Sequence, residues 1–201
     1  GRIAWNIVTS FLDSAARASG LSKQTDHDIR YDIAEEYMSV VYELWERCWE
    51  DDAVVRDAER AVFTDPGKVH RLQHEGQFFK LDGVHLCEPS PQRTPVLYQA
   101  GTSAKGAVFA ARHAECIFVN GPSVDVVALY VKRTRDEIAR QGRDPASVSI
   151  ISMLTVITGP TDEEAEEKFR DYSRYANREG AFVVLSGWSG VDYAKMSPED
   201  A

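Results

Sequence analysis

Pro95-Val96-Leu97-Tyr98-Gln99-Ala100-Gly101, Cys116-Ile117-Phe118-Val119-Asn120-Gly121-Pro122 and Val148-Ser149-Ile150-Ile151-Ser152-Met153-Leu154-Thr155-Val156-Ile157-Thr158-Gly159-Pro160 are three apolar runs, each ending at Gly or Gly-Pro. Each is followed by a small-residue turn and an amphipathic stretch that reads as a helix, over 103–113, 123–141 and 161–176. Runs separated by a helix are too far apart for hairpins, so they predict parallel strands joined by crossover helices. The first two lack strict alternation, as expected of strands covered on both faces. The third helix opens Thr161-Asp162-Glu163-Glu164, a capping-box pattern with acids against the positive end of the helix dipole. A fourth unit stands at the front, with 3–8 as strand and 29–49 as a helix about 31 Å long at about 1.5 Å per residue.

Four βα units fit half of a (β/α)8 barrel or most of a doubly wound sheet. The chain contains neither GxGxxG nor a Walker A loop, which removes the two commonest reasons for a doubly wound sheet. The expected fold is therefore α/β, a TIM barrel present in part, with about four βα units plus insertions. A closed barrel usually needs about 250 residues. The 201 residues here are expected to form a single domain, the middle portion of such a barrel, with 50–93 and 177–201 as inserted segments. Within the first insertion, 78–86 reads as a hairpin turning at Asp82-Gly83. The run 181–190 reads equally as a strand or a buried loop.

Composition narrows the function. At 43% apolar and 27% charged residues the chain is a globular one, and 23 Lys and Arg against 32 Asp and Glu give a net charge of −9. That is the wrong sign for holding a nucleic-acid backbone or an anionic bilayer through bulk charge, so neither is an expected partner; a local cationic site for one small anion stays open. Three cysteines, without metal-ligand spacing, argue against a disulfide framework and for a reducing compartment, the cytoplasm. No apolar run approaches the roughly 18 residues of a membrane span. The first residues carry neither an initiator Met nor the regions of a signal peptide, and the chain reads as starting inside a longer one.

In a barrel of this kind the C-terminal ends of the strands carry the site. Three places qualify. Asn6 lies in an apolar strand, where a buried amide must find partners, either neighbouring strands or a ligand. His27-Asp28-Ile29-Arg30-Tyr31 opens the long helix, with His27 and Tyr31 on one face and Arg30 one position off; the spot suits a phosphate, or is a capping histidine and a half-packed tyrosine. Gln99-Ala100-Gly101-Thr102-Ser103-Ala104-Lys105-Gly106 is a strand end, a glycine turn and a helix start, where the Thr102 and Ser103 hydroxyls either hold phosphate oxygens or merely cap the helix. His70 and His74 stand four apart, but no glutamate follows His70 as a helical zinc motif requires, and no metal site is expected. No nucleophile elbow surrounds a serine, and no catalytic residue is assigned.

Gly1-Arg2-Ile3-Ala4-Trp5-Asn6-Ile7-Val8-Thr9-Ser10, His27-Asp28-Ile29-Arg30-Tyr31, Ser90-Pro91-Gln92-Arg93-Thr94-Pro95-Val96-Leu97-Tyr98-Gln99-Ala100-Gly101-Thr102-Ser103 and Ser186-Gly187-Trp188-Ser189-Gly190-Val191-Asp192 together resemble one family. It is the nitrilotriacetate monooxygenase (component A)-like group of the bacterial-luciferase-like, FMN-dependent monooxygenases, and the resemblance runs almost end to end. It implies a luciferase-like TIM barrel that takes reduced FMN from a partner NAD(P)H:flavin reductase and uses O2 to oxidise a small organic substrate, as a homo-oligomer when full length. Residue by residue, it places the cofactor-binding positions on Asn6, His27, Arg30, Tyr31, Thr102 and Ser103. The phosphate falls among Arg30, Tyr31, Thr102 and Ser103, and the ribityl and ring near Asn6 and His27. Many members have Asn-Phe-Gly where Ala18-Ser19-Gly20 stands, and a glycine at Arg93. Family strands before Gly1, which carry further flavin contacts, and after Ala201 lie outside the chain. Two rival readings remain: a deazaflavin (F420)-dependent oxidoreductase of the same superfamily, and a non-catalytic barrel fragment.

Overall fold

A computed structural model describes residues 2–101, 103–189 and 192–195. The chain divides into two compact units, one of residues 1–9 and 25–153 and the other of 10–24 and 154–201. The first holds a four-stranded parallel sheet of β1 (Ala4–Ile7), β6 (Val96–Gln99), β7 (Cys116–Val119) and β8 (Ser149–Ser152), adjacent in that order. After β1 come α2 (His27–Tyr42) and an inserted region; α3 (Ala104–His113) follows β6 and α4 (Val124–Arg140) follows β7. This is the βα repeat that the apolar runs predict. Both crossover helices start where a serine stops the strand's turn: Ser103 Oγ accepts from Gly106 N–H at 3.1 Å and Ser123 Oγ from Val126 N–H at 3.4 Å.

Side-chain alternation divides the sheet's two faces. Ile7 and Leu97 point to the helix side and pack with Tyr31, Met38, Val41 and Phe109. Ile117 and Val119 join Val148, Ile138 and Ala110, Ala111 and Ala114, whose small side chains let α3 lie close. Each large apolar side chain buried this way is worth about 1.5–3 kcal/mol. On the opposite face Tyr98 and Phe118 lie with ring centroids 5.5 Å apart, and strand register aligns Asn6, Tyr98, Cys116 and Ser149 in one row.

Several elements depart from the sequence expectation. The long front helix is regular to Tyr42, then widens into a π-helical turn over Glu43–Arg47. The third apolar run is a strand only over Ser149–Ser152, the four residues that β7 pairs; Leu154 beyond it is 83% exposed. The insertion holds two antiparallel hairpins, β2 (Val54–Asp57) with β3 (Val62–Thr64), and β4 (Leu72–Glu75) with β5 (Lys80–Gly83). The second turns at residues 76–79 rather than at Asp82-Gly83, because the Glu36 carboxylate accepts the N–H groups of Phe78 (2.9 Å) and Phe79 (2.7 Å) and anchors the turn there. Asp82 instead pairs across the hairpin with Arg71.

The second unit contains α1 (Asp13–Ala18), α5 (Asp162–Ser173) and α6 (Arg178–Ser189). Thr161 caps α5 through Glu164 N–H at 3.3 Å, as the capping-box pattern predicts. The run 181–190, which reads equally as strand or loop in the sequence, is helical to Ser189, in a helix started by Asn177, whose Oδ1 accepts from Gly180 N–H at 2.8 Å.

Candidate functional site

The starts of α2 and α3 and the end of β6 meet at one place. Tyr31 and His27, four apart on α2, have rings 5.1 Å apart, but Tyr31 is buried and His27 exposed. Gln99, the last residue of β6, is 3% exposed and donates from Nε2 to Tyr31 Oη at 3.2 Å, while its Oε1 has no partner. A Cβ on Gly101 would lie 2.6 Å from Gln99 Nε2 and 3.0 Å from Tyr31 Oη. One on Gly106 would lie 2.6 Å from Tyr31 Oη and 2.9 Å from Ser103 Oγ. A side chain at either position would push the tyrosine, amide or serine out of this arrangement.

The chemistry of this place suits an anion. Tyr31 Oη accepts from Gln99, so its own proton is free to be donated; the Ser103 hydroxyl likewise accepts from Gly106 N–H and keeps its proton for a ligand. The opening N–H groups of α3 and the positive end of its dipole add attraction. Arg30, the residue before Tyr31, has a buried Nε with no partner, an uncommon state for a guanidinium donor. Lys105 is already balanced, its Nζ 2.6 Å from Asp32 Oδ1. A phosphate fits this donor set, since it supplies acceptors to the residues whose protons are unspent.

The remaining sequence candidates fall as follows. His27 Nδ1 lies 2.7 Å from Asp28 Oδ1, a hydrogen bond that holds the Asp28 carboxyl below its ordinary range. Asn6 is exposed on the sheet face away from the helices; the expectation of a buried amide is corrected, because Trp5 and Ile7 take the inward alternation towards α2. Thr102 lies outside the described residues. His70 and His74 are not on a helix: His70 pairs with Glu50 at 2.9 Å and His74, on β4, with Glu36 at 3.0 Å. Among the described residues no group of three or more His, Cys, Asp or Glu gathers to hold a metal. Gln99 and Gly106 carry no role in the local sequence pattern and gain one only in the packed site. The signal was an amide closing an otherwise apolar strand.

Residues 1–200 match the model of the luciferase-like monooxygenases. The chain belongs to that family. It is 49% identical over 200 residues to dimethyl-sulfide monooxygenase of Hyphomicrobium sulfonivorans and 48% identical over 200 residues to long-chain alkane monooxygenase of Geobacillus thermodenitrificans, covering the whole chain in each case. Crystal structures of the two enzymes superpose with TM-scores of 0.90 and 0.93, over 98% and 100% of the chain. A riboflavin lyase solved with modified FMN and riboflavin matches 98% of the chain and 44% of its own, at 39% identity and TM-score 0.90. The chain spans 42% and 46% of the two monooxygenases' length. Its parallel sheet is thus part of a luciferase-like TIM barrel. No helix among the described residues is long and apolar enough to cross a membrane.

Proposed function

We propose that the whole protein is an FMN-dependent monooxygenase of the nitrilotriacetate monooxygenase-like group, that this chain is the middle of its barrel, and that the α2–α3 site holds the flavin phosphate. The observation that carries the reading is the set of unspent donors around the Gly101–Gly106 cradle, with buried Arg30 Nε beside it in sequence. Arg30, Tyr31, Thr102 and Ser103 are assigned to the phosphate, and Asn6 and His27 to the ribityl chain and ring. When bound, reduced FMN supplies the electrons that activate O2. The chain's own residues fix its position and orientation. A separate NAD(P)H:flavin reductase delivers it, in the cytoplasm, to a homo-oligomeric enzyme.

The enzymes named for dimethyl sulfide and long-chain alkanes act on uncharged molecules, and the aromatic pair Tyr98 and Phe118 lines the sheet face away from the helices. A small, weakly polar organic substrate is the class these features support. The test is a titration of the whole protein with FMN and with the deazaflavin F420, followed by turnover with a reductase and O2. Preference for FMN and oxygen-dependent product formation are expected. Preference for the deazaflavin sinks the proposal in favour of an oxidoreductase, and binding without turnover in favour of a non-catalytic barrel.

A further inference from the structure

His113, at the last position of α3, makes two directional contacts with α2. Its Nε2 lies 2.9 Å from Glu35 Oε2 and its Nδ1 3.0 Å from Tyr42 Oη. A neutral imidazole with its proton on Nε2 satisfies both, donating to the carboxylate and accepting from the phenol. Arg112 adds a second donor to the same carboxylate at 3.3 Å. His113 is 14% exposed, so these bonds are largely sheltered from water.

Between this polar knot and the candidate site, α2 and α3 touch through rings and through the Lys105–Asp32 ion pair, whose more exposed side chains hold register less firmly than the sheltered knot. Tyr31 and Phe109 have centroids 5.5 Å apart, and Phe109 and His113 4.7 Å. Ring and aliphatic contacts are non-directional and tolerate a helix sliding along its neighbour. Hydrogen bonds do not: a slip of one residue moves a helix about 1.5 Å along its axis, enough to break a bond of this length. The knot therefore fixes the register of α2 on α3. The same two helices carry Arg30 and Tyr31, and Ser103 and Gly106, at their other ends. There the tolerance is small, because a Gly106 Cβ would sit only 2.6 Å from Tyr31 Oη.

We propose that His113 is a positioning residue for the cofactor phosphate, setting from nearly three turns along α3 the spacing between the donors of α2 and the start of α3. The inference rests on the FMN reading above. Its test is the preference of the whole protein for FMN over riboflavin, which differ by the phosphate alone, read as the ratio of the two dissociation constants in fluorescence titrations. His113→Phe keeps a ring against Phe109 and loses both bonds; the ratio is expected to fall roughly tenfold, as misplaced binding groups do. Tyr42→Phe removes one bond and is expected to lower the ratio about two- to threefold; it decides the matter if His113→Phe does not fold. Ile138→Ala, on the core face of α4, controls for instability, being expected to lower the melting temperature and leave the ratio unchanged. A wild-type protein without preference for FMN overturns the phosphate reading itself. A wild-type preference that survives in the folded His113 and Tyr42 variants overturns only the positioning role, and a ratio that falls equally in Ile138→Ala does the same.

Discussion

Gln99 Nε2 donates to Tyr31 Oη at 3.2 Å, joining the end of a parallel strand to the second turn of the helix that begins the site, with both residues buried. The bond spends one of the amide's protons and none of the phenol's. It leaves Gln99 Oε1 unpaired and the Tyr31 proton available. A buried pair so incompletely satisfied is costly unless something else completes it.

Tyr31→Phe therefore strips the Gln99 amide of the partner it has. The expected loss is about 1–3 kcal/mol of stability in the whole protein, read as a lower melting temperature. FMN affinity should fall with it. Thermal denaturation of the variant with and without FMN measures both, and an unchanged melting temperature shows that Gln99 finds another partner.

Ser103 separates capping from ligand binding. Its Oγ accepts from Gly106 N–H, so Ser103→Ala should cost about 0.5–2 kcal/mol of stability through the lost cap. Aspartate is itself a good cap and favours the dipole, so Ser103→Asp should keep the stability. Yet the new carboxylate opposes a phosphate, and FMN affinity should fall more in the Asp variant than in the Ala variant, by roughly ten- to hundredfold. Unchanged affinity for the Asp variant places the phosphate elsewhere.

Arg93 occupies left-handed backbone, at φ 55°, where the family resemblance expects glycine. Its side chain offsets the strain. NH1 donates to the carbonyls of Trp45 (3.4 Å), inside the π-helical turn, and Trp49 (2.8 Å), just after it, and NH2 pairs with Asp51. Both Arg93→Gly and Arg93→Ala should destabilise through these lost charge-assisted bonds. Alanine should be the worse by about 1 kcal/mol, since only glycine takes this backbone without penalty. Equal urea midpoints for the two variants would contradict a strained backbone at this position.

What the sequence reveals here is what local chemistry decides. Ser103, Ser123 and Thr161 announce helix starts within three residues of the N–H groups they cap, and glycines close the strands, so the βα order is legible without any tertiary knowledge. The turn of the second hairpin is not, because Glu36, more than 40 residues before Phe78, decides it. The 181–185 run is rich in residues that favour strands, and its helix rests on Asn177, which precedes the run. At the site, Tyr31 and Ser103 follow from helix position alone. Gln99 and Gly106 acquire meaning only when β6, α2 and α3 are packed together.

Glu36 makes stability depend on acid. Burial works against its charge, but the His74 ring and the N–H groups of Phe78, Phe79 and Gln77 outweigh it and hold the carboxyl below its ordinary value. Between the folded value and the unfolded one, about 4.3, the unfolded chain binds more protons, so stability rises with pH there. The contribution is complete above the unfolded value and is lost as pH falls through the folded one. The stability difference between the natural protein and Glu36→Gln should accordingly be constant above about pH 5 and shrink below about pH 4. Urea midpoints across that range measure it; a difference independent of pH would exclude Glu36 as the anchor of the hairpin turn.

The 201-residue chain expressed by itself should self-associate. β1 and β8 are the outer strands of the four-stranded sheet, and each offers a row of N–H and C=O groups to another chain. Apolar side chains lie open beside those edges, with Val8 68% and Met153 64% exposed. In a closed barrel such side chains fill interior layers drawn from alternate strands, and a partial barrel leaves the layers incomplete. At about 25 cal/mol per Å², several hundred Å² of wet apolar surface forfeits on the order of 5–10 kcal/mol, comparable with the whole stability of an ordinary domain. Size-exclusion chromatography with light scattering should show oligomers or aggregate, and titration should show weak FMN binding. A monomer that melts cooperatively and binds FMN at micromolar concentration would mean that the sheet is self-sufficient and that the site needs no further strands.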